Sequence, residues 1–280
     1  MTASVAVPVT AMVFTLDEEL HMPSCLDSLR WCDDVVVIDS FSRDRTVELA
    51  RAAGARVLQN RFTGFGDQRN WALTNAAPRH PWVLILDADE RVPQQMVEEL
   101  RETLPAVPEG VAAFRMARRF HFWGRWLRYS SEYPTYVVRL VRCGRVSYVN
   151  RGHAETQKVA GEIRTQRSDL IDENLKGLDD WFKRQNRYSS QEAAYELAQE
   201  RGKLRVLDLV SSDPLARRAA LKRFAAGIPG RPVWYFLYNY VLRAGFLDGR
   251  DGLVFCLLKA IYQAMVAMKK VELRRLGHER

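Results

Sequence analysis

The sequence predicts an α/β protein, a mostly parallel sheet flanked by helices with a C-terminal helical extension. Three observations lead to that class. Apolar, β-branched runs at residues 9–14, 35–38, 55–58 and 83–86 alternate with segments of helical length, the pattern of right-handed β-α-β units. Three of the runs end in acidic or hydroxyl residues, Thr15/Asp17, Asp39/Ser40 and Asp87/Asp89, at the end where open parallel sheets bind ligands. The charge balance changes after residue 202: 15 Lys/Arg stand against 6 Asp/Glu there, so the chain's net +8 belongs to its last third.

Composition sets the outer limits. A chain of 280 residues with 47% hydrophobic and 27% charged residues can bury a sizeable core, which argues against a disordered chain. Cys25, Cys32, Cys143 and Cys256 form no C-x-x-C pair and no zinc spacing, so they read as structural thiols in a reducing compartment. Residues 1–16 hold no Lys or Arg, unlike the basic start of a secretory signal, and read as the first core strand. Helices are expected over 22–32, with Pro23 near the first turn, over 46–53, stopped by Gly54, and over 67–75.

Residues 82–91 read WVLILDADER. The apolar run is typical of a strand buried on both faces, and it ends abruptly in Asp87, Ala88, Asp89 and Glu90. Asp87 and Asp89 are two apart, so in an extended segment they point the same way. Converging carboxylates suit Mg²⁺, which takes one or two of them and completes its shell with water and phosphate oxygens. A metal–diphosphate site and a solvated acidic turn are the two readings of these ten residues.

Four motifs in order, VTAMVFTLDEE, VVVIDSFSRDRT, FGDQRNWAL and LILDADE, resemble the nucleotide-sugar domain of inverting family 2 glycosyltransferases, which have the GT-A fold. The resemblance covers roughly residues 7–160 and implies a catalytic domain over 1–175; charge balance and helical spacing set off a basic amphipathic helical region over 176–280. It implies that Thr15 and Glu18 line the nucleoside pocket, that Asp39 accepts from the base, and that Arg69 belongs to the donor site. By the same resemblance Asp87 sits by the ribose and diphosphate and, with Asp89, holds a divalent metal, Mg²⁺ or Mn²⁺. The implied donor is a nucleotide diphosphate sugar, a UDP-sugar foremost, and the implied acceptor a lipid-linked or cell-envelope glycan such as a lipopolysaccharide core. Two departures stand out. Asp17 replaces the usual Asn of the first motif, and Phe41 stands where the second, D-D-G-S-x-D-x-T, has Gly. The placement of Glu155 matches the family's late acidic motif, which carries the base; His153 beside it reads as a structural His. Many relatives have a metal-facing His further on; residues 170–174, LIDEN, lack it, and make Asp172 a rival base.

The chemistry of sugar transfer agrees with these roles. Charge building on a leaving diphosphate calls for a Lewis acid and a positioned Arg. Inversion calls for a base on the opposite face, to take the acceptor's proton. Residues 114–156 are the expected acceptor side. Phe120, Phe122, Trp123, Trp126 and Tyr133 either stack on sugar rings or belong to core and surface, Gly124 marks a turn, and 136–141 reads as an irregular hairpin or edge strand.

Beyond Asn174, Trp181, Tyr188 and Tyr195 lie seven apart on one face of a long helix. Helices are expected over 204–210 and 215–224, the latter with Arg217, Arg218, Lys222 and Arg223, and residues 229–232 make a breaker. Residues 233–246 and 253–268, with a turn over 249–252 between them, are each shorter than the ~20 apolar residues of a membrane span and each holds a charge. In the second, Lys259, Gln263 and Lys270 share one side. The pair reads as interfacial helices on an anionic bilayer, or else as part of the protein's own core. The expectation is a cytoplasmic enzyme, peripheral on the inner membrane, with no nucleic-acid partner.

Other functions fit less well. A sugar-nucleotide pyrophosphorylase would want a Gly-rich phosphate loop after the first strand, where Thr15, Leu16, Asp17 and Glu18 stand. An aspartyl phosphatase with Asp87 as nucleophile would carry that motif on its first strand and Thr or Val at Arg91. A sugar-nucleotide-binding module without a base is the non-enzymatic alternative.

Overall fold

The computed structural model describes residues 7–151, 154–200 and 230–278. Gly152, His153, both helices expected over 204–224 with their four basic residues, and Pro229 lie outside the described residues. The chain divides into two compact units. One comprises residues 1–128 and 133–176; the other comprises Tyr129–Glu132 and Gly177–Arg280.

The first unit is the α/β part. In chain order it contains β1 (Val9–Thr15), α1 (Met22–Asp27), β2 (Asp34–Asp39), α2 (Thr46–Ala52), β3 (Arg56–Gln59), α3 (Phe65–Asn75) and β4 (Trp82–Asp87). There follow β5 (Glu90–Arg91), α4 (Gln94–Thr103), β6 (Val111–Phe122), β7 (Arg125–Trp126) and β8 (Thr135–Arg142). Last come β9 (Val146–Arg151), β10 (Ala154–Val159), β11 (Glu162–Thr165) and β12 (Leu170–Glu173). The main sheet runs β3-β2-β1-β4-β8-β6-β12-β5, with β7 and β11 also paired to β6, while β9 and β10 form a separate hairpin. Strands β1 to β4 are parallel neighbours, as the alternating pattern predicts.

Burial on both faces explains the unbroken apolar runs. Ala11, Val13, Leu84 and Leu86 point into one cluster with Met22, Leu29, Met96 and Leu100; Met12, Val83 and Ile85 point into another with Ala72 and Ala76. Register then aligns the strand ends: Thr15 lies opposite Asp39, and Phe14 opposite Asp87. Two expectations are corrected. The first helix stops at Asp27, and residues 28–31 are turn. Residues 136–141 lie in β8, which is no edge strand but sits antiparallel between β4 and β6, so its apolar side chains meet neighbours on both sides.

The second unit contains α5 (Gly177–Glu200), α6 (Arg231–Leu237), a π-helical continuation at Tyr238–Leu242, a short 3-10 turn at Gly245–Asp248, and α7 (Gly249–His278). Both α5 and α6 pack on α7. Residues 249–252 are the first turn of α7 rather than a free turn: Gly252 is packed so closely that a Cβ there would come within 2.5 Å of the Gly245 carbonyl. As a result the apolar stretch joins its flanks into one helix, and 245–276 is long and apolar enough to cross a membrane by length and composition. This corrects the reading of residues 253–268 as too short.

Candidate active site

The carboxyl ends of β1 and β2 frame the first half of the site. Asp39 is wholly buried, and both its oxygens are occupied. It accepts from Thr15 Oγ1 at 3.2 Å, from the Ser42 N–H at 3.1 Å and hydroxyl at 2.5 Å, and from Gln59 Nε2 at 3.0 Å. Asp39 and Thr15 therefore anchor the loop behind the pocket, and any bond from a nucleobase to Asp39 would share these oxygens. The loop it holds lines a cleft of about 580 Å³ with Leu16, Asp17, Ser40, Phe41, Arg43 and Arg61. Phe41 has φ +65°, so the chain keeps the left-handed turn of a Gly position while carrying a ring that is 54% exposed. Glu18 lies between His21 Nδ1 at 2.6 Å and Lys176 Nζ at 2.8 Å. His21 Nε2 accepts from the Leu175 N–H, which leaves the ring proton on Nδ1, facing Glu18.

The second half is a chain of alternating charges. Glu155 pairs with Arg69, Arg69 with Asp87 at 3.2 Å, and Asp87 with Arg139 at 2.5 Å. Arg139 continues to Glu90 at 2.7 Å, Glu90 to Arg118 at 3.8 Å, and Arg118 to Asp172 at 2.9 Å. Both candidate bases thus end one network, with Asp87 inside it. Three pieces of architecture bring them together. The N-terminus of α3 is locked to β9, where the Gly66 N–H donates to Asn150 Oδ1 at 2.8 Å and Asn70 bonds the Tyr148 backbone twice; any side chain at Gly66 would strike Asn150 and Val149. That lock sets Arg69 near β10 and Glu155. Strand β8 delivers Arg139 beside β4. Strand β12 pairs with β5, placing Asp172 opposite Glu90.

Burial raises the pKa of Asp87, but Arg139 and Arg69 outweigh it and hold that carboxyl well below its ordinary range. Asp89 and Glu90 are pushed up, first by burial and then by neighbouring charge. Asp172 is pushed up to about 8 by burial and by Asp89.

Asp89 stands apart from this network. Among the described residues no Lys or Arg pairs with it, and its side-chain hydrogen bond is from Asn174 Nδ2 at 3.3 Å. Four acidic groups and three guanidiniums alternate in the network, and Asp89 adds a fifth acid, so acids outnumber guanidiniums five to three, with Asp172 held largely protonated near neutral pH. A divalent cation at Asp89 fits that imbalance. The described residues hold no cluster of three His, Cys, Asp or Glu ready to bind a metal by themselves, so water or donor oxygens would fill out the shell. Both oxygens of Asp87 face arginines, whereas Asp89 is bonded by Asn174 alone among the described side chains.

Reading the sequence missed Arg139, Glu90 and Arg118 as site residues. The signal was present: Arg139 interrupts the apolar run of β8, and a charge at such a position is seldom buried without a partner. On the expected acceptor side, Phe122 is buried while Trp123, stacked on it at 4.3 Å, is 54% exposed.

Comparison with known proteins accords with this geometry. The chain is 27% identical over 273 residues to the lipopolysaccharide core biosynthesis glycosyltransferase LpsC of Rhizobium meliloti, covering 94% of this chain and 91% of that one. It is 30% identical over 93 residues to an uncharacterized glycosyltransferase of Rickettsia bellii, a match covering 33% of this chain and 31% of the other. Among solved structures, the mannosyltransferase PcManGT of Pyrobaculum calidifontis, in complex with GDP-Man and Mn²⁺, aligns with a TM-score of 0.51 at 15% identity, over 94% of this chain and 87% of that one; it shares the fold. The family model Glycosyl transferase family 2 matches residues 10–168, more than half the chain, including every residue of the strand ends and charge network except Asp172, and the chain belongs to that family.

Proposed function

We propose that this glycosyltransferase moves a sugar, with inversion, from a nucleotide diphosphate sugar to a lipid-linked or cell-envelope glycan, and that it needs a divalent metal, Mg²⁺ or Mn²⁺. The observation that carries the reading is Asp89, unpaired by any described cation beside a network that ends in two candidate bases. A UDP-sugar is the favoured donor. The metal-bound sugar-nucleotide complex of PcManGT supports a metal and a nucleotide sugar in general, and LpsC supports an envelope acceptor.

The chain's own residues divide the work. The cleft lined by Leu16, Phe41, Arg43 and Arg61 takes the nucleoside, with the Phe41 ring at its wall and Asp39 fixing the loop. Arg69, buried and already cationic, stands ready to stabilise charge on the leaving diphosphate. Asp89 with Asn174 would hold the metal, which supplies Lewis acidity to the diphosphate when bound. Glu155 takes the proton of the acceptor hydroxyl once it leaves Arg69, and Asp172 is the alternative base. The enzyme would work on the cytoplasmic face of the inner membrane, against an anionic surface.

The test is a donor screen. Purified protein is incubated with several nucleotide sugars, with Mn²⁺, Mg²⁺ or chelator, and released nucleoside diphosphate is measured. Release from one donor class, lost with chelator, is expected. Full turnover in chelator would remove the metal from the account.

A further inference from the structure

The second unit has its polarity inverted relative to a water-soluble helix bundle. Its described interior is mostly polar: Ser130, Ser189, Glu192, Glu196, Asn239, Asp248, Gln263 and Lys270 are buried, against Ala193, Phe255, Cys256, Leu258 and Val266. The charged groups of this interior are held in pairs, while the Asn239 and Gln263 side-chain oxygens are buried without a described hydrogen-bond partner. Glu196 binds Lys270 and Arg231, each at 2.9 Å; Glu132 binds Lys259 at 3.0 Å and Tyr235 at 2.7 Å; and Asp248 accepts from Ser130.

The apolar side chains face outward. Val233, Trp234, Leu237, Tyr238, Val241 and Leu242 recur at the four-residue spacing of one helix face, and all are exposed, Leu242 by 78%. On α7, Leu257, Ile261, Met268 and Val271 form an exposed stripe, while Lys259, Gln263 and Lys270 lie on the opposite, inward side. In water this arrangement is doubly unfavourable, since it leaves apolar surface wet and desolvates charges. In hydrocarbon both features are the expected ones, because ionisable groups there face the bundle interior and pair.

We propose that this unit is embedded in the acyl region of an anionic bilayer through the α6 and α7 faces, and not merely adsorbed to the head groups. Three further features select lipid as the occupant. The helix at 245–276 has the length and apolarity to cross a membrane. Trp234 and Tyr238 add amphipathic aromatic rings to the exposed α6 face, and exposed Arg250 and Arg275 supply charge complementary to anionic head groups. The proposal deepens, and in its choice of location rests on, the membrane part of the function given above.

The test uses the full chain with vesicles of phosphatidylglycerol and phosphatidylcholine, some brominated in mid-acyl chain. Mid-chain bromine should quench tryptophan fluorescence, Trp234→Phe should remove a large share of that quenching, and alkaline carbonate should leave the protein on the vesicles. Changing Trp234→Asn, Leu242→Gln and Met268→Gln together should cut the vesicle-bound fraction about tenfold or more, with release of nucleoside diphosphate from soluble donor unchanged. Release by carbonate without mid-chain quenching would overturn embedding. So would a lipid-free dimer that the triple variant dissolves and that ignores vesicles, since a second copy would then cover the face. Quenching without donor turnover would sink the transferase reading and leave embedding intact; turnover without quenching would do the reverse.

Discussion

The two units handle buried charge in opposite settings. In the first, apolar side chains fill both faces of the sheet, and charges gather at one sheet end: Asp87, Glu90, Arg69 and Arg139. In the second, polar groups make up most of the described buried residues, and a run of large apolar side chains on α6 and α7 is exposed. The first network has a carboxylate in surplus and a cleft nearby; the second pairs Glu132 and Glu196 with Lys259, Lys270 and Arg231, and Asp248 accepts from the Tyr129 and Ser130 N–H groups and the Ser130 hydroxyl. A surplus invites a ligand, whereas a closed set of pairs holds helices together. Burial of charge alone therefore does not mark a site.

The sharpest way to break this comparison is at the ends of the first network. Glu155→Gln keeps shape but cannot accept a proton, so transfer should fall by about 10²–10⁴ while donor binding is retained. If Asp172→Asn produces that loss and Glu155→Gln does not, the base lies on β12. In the middle of the network, Arg139→Met strands Asp87 and Glu90, and chemical denaturation should show stability lower by about 3–5 kcal/mol. A variant as stable as the parent would mean that the arginine is dispensable to the fold.

Much of this was legible in the sequence. The apolar runs of β1, β2 and β4 specify a sheet buried on both faces, and their acidic ends locate the ligand edge. What could not be read was convergence. Arg139 and Asp172 come from strands whose register with β4 and β5 depends on long-range pairing, and no local spacing reveals it. The burial of Asp39 was not legible either, because it depends on Thr15, Ser42 and Gln59 closing around it. The Lys259, Gln263 and Lys270 stripe was visible, but its direction was not: a helical period identifies a face without saying which side meets solvent.

Acidity offers a separate test. With Asp172 folded at about 8 and near about 3.9 when unfolded, the unfolded chain gives up a proton that the folded one keeps. Its contribution thus favours folding least at high pH, declining from about pH 4 to about pH 8 and levelling beyond. In chelator, the melting-temperature gain of Asp172→Asn over the parent should grow across that window. A gain that is the same at both ends would contradict the shift. With a smaller effect, Phe41→Gly relieves a left-handed backbone and should raise stability by about 1 kcal/mol, while weakening nucleoside binding. Unchanged binding would take the ring out of the pocket.

The central claim is that Asp89 is the cation-binding carboxylate of a donor site. Titration calorimetry of UDP into the full chain, with Mn²⁺ and with chelator, tests it in the parent and in Asp89→Asn. The account predicts metal-dependent binding in the parent, weakened at least about tenfold in the variant, with the variant's fold intact by circular dichroism. Equal UDP affinity with and without metal, or in parent and variant alike, would contradict it.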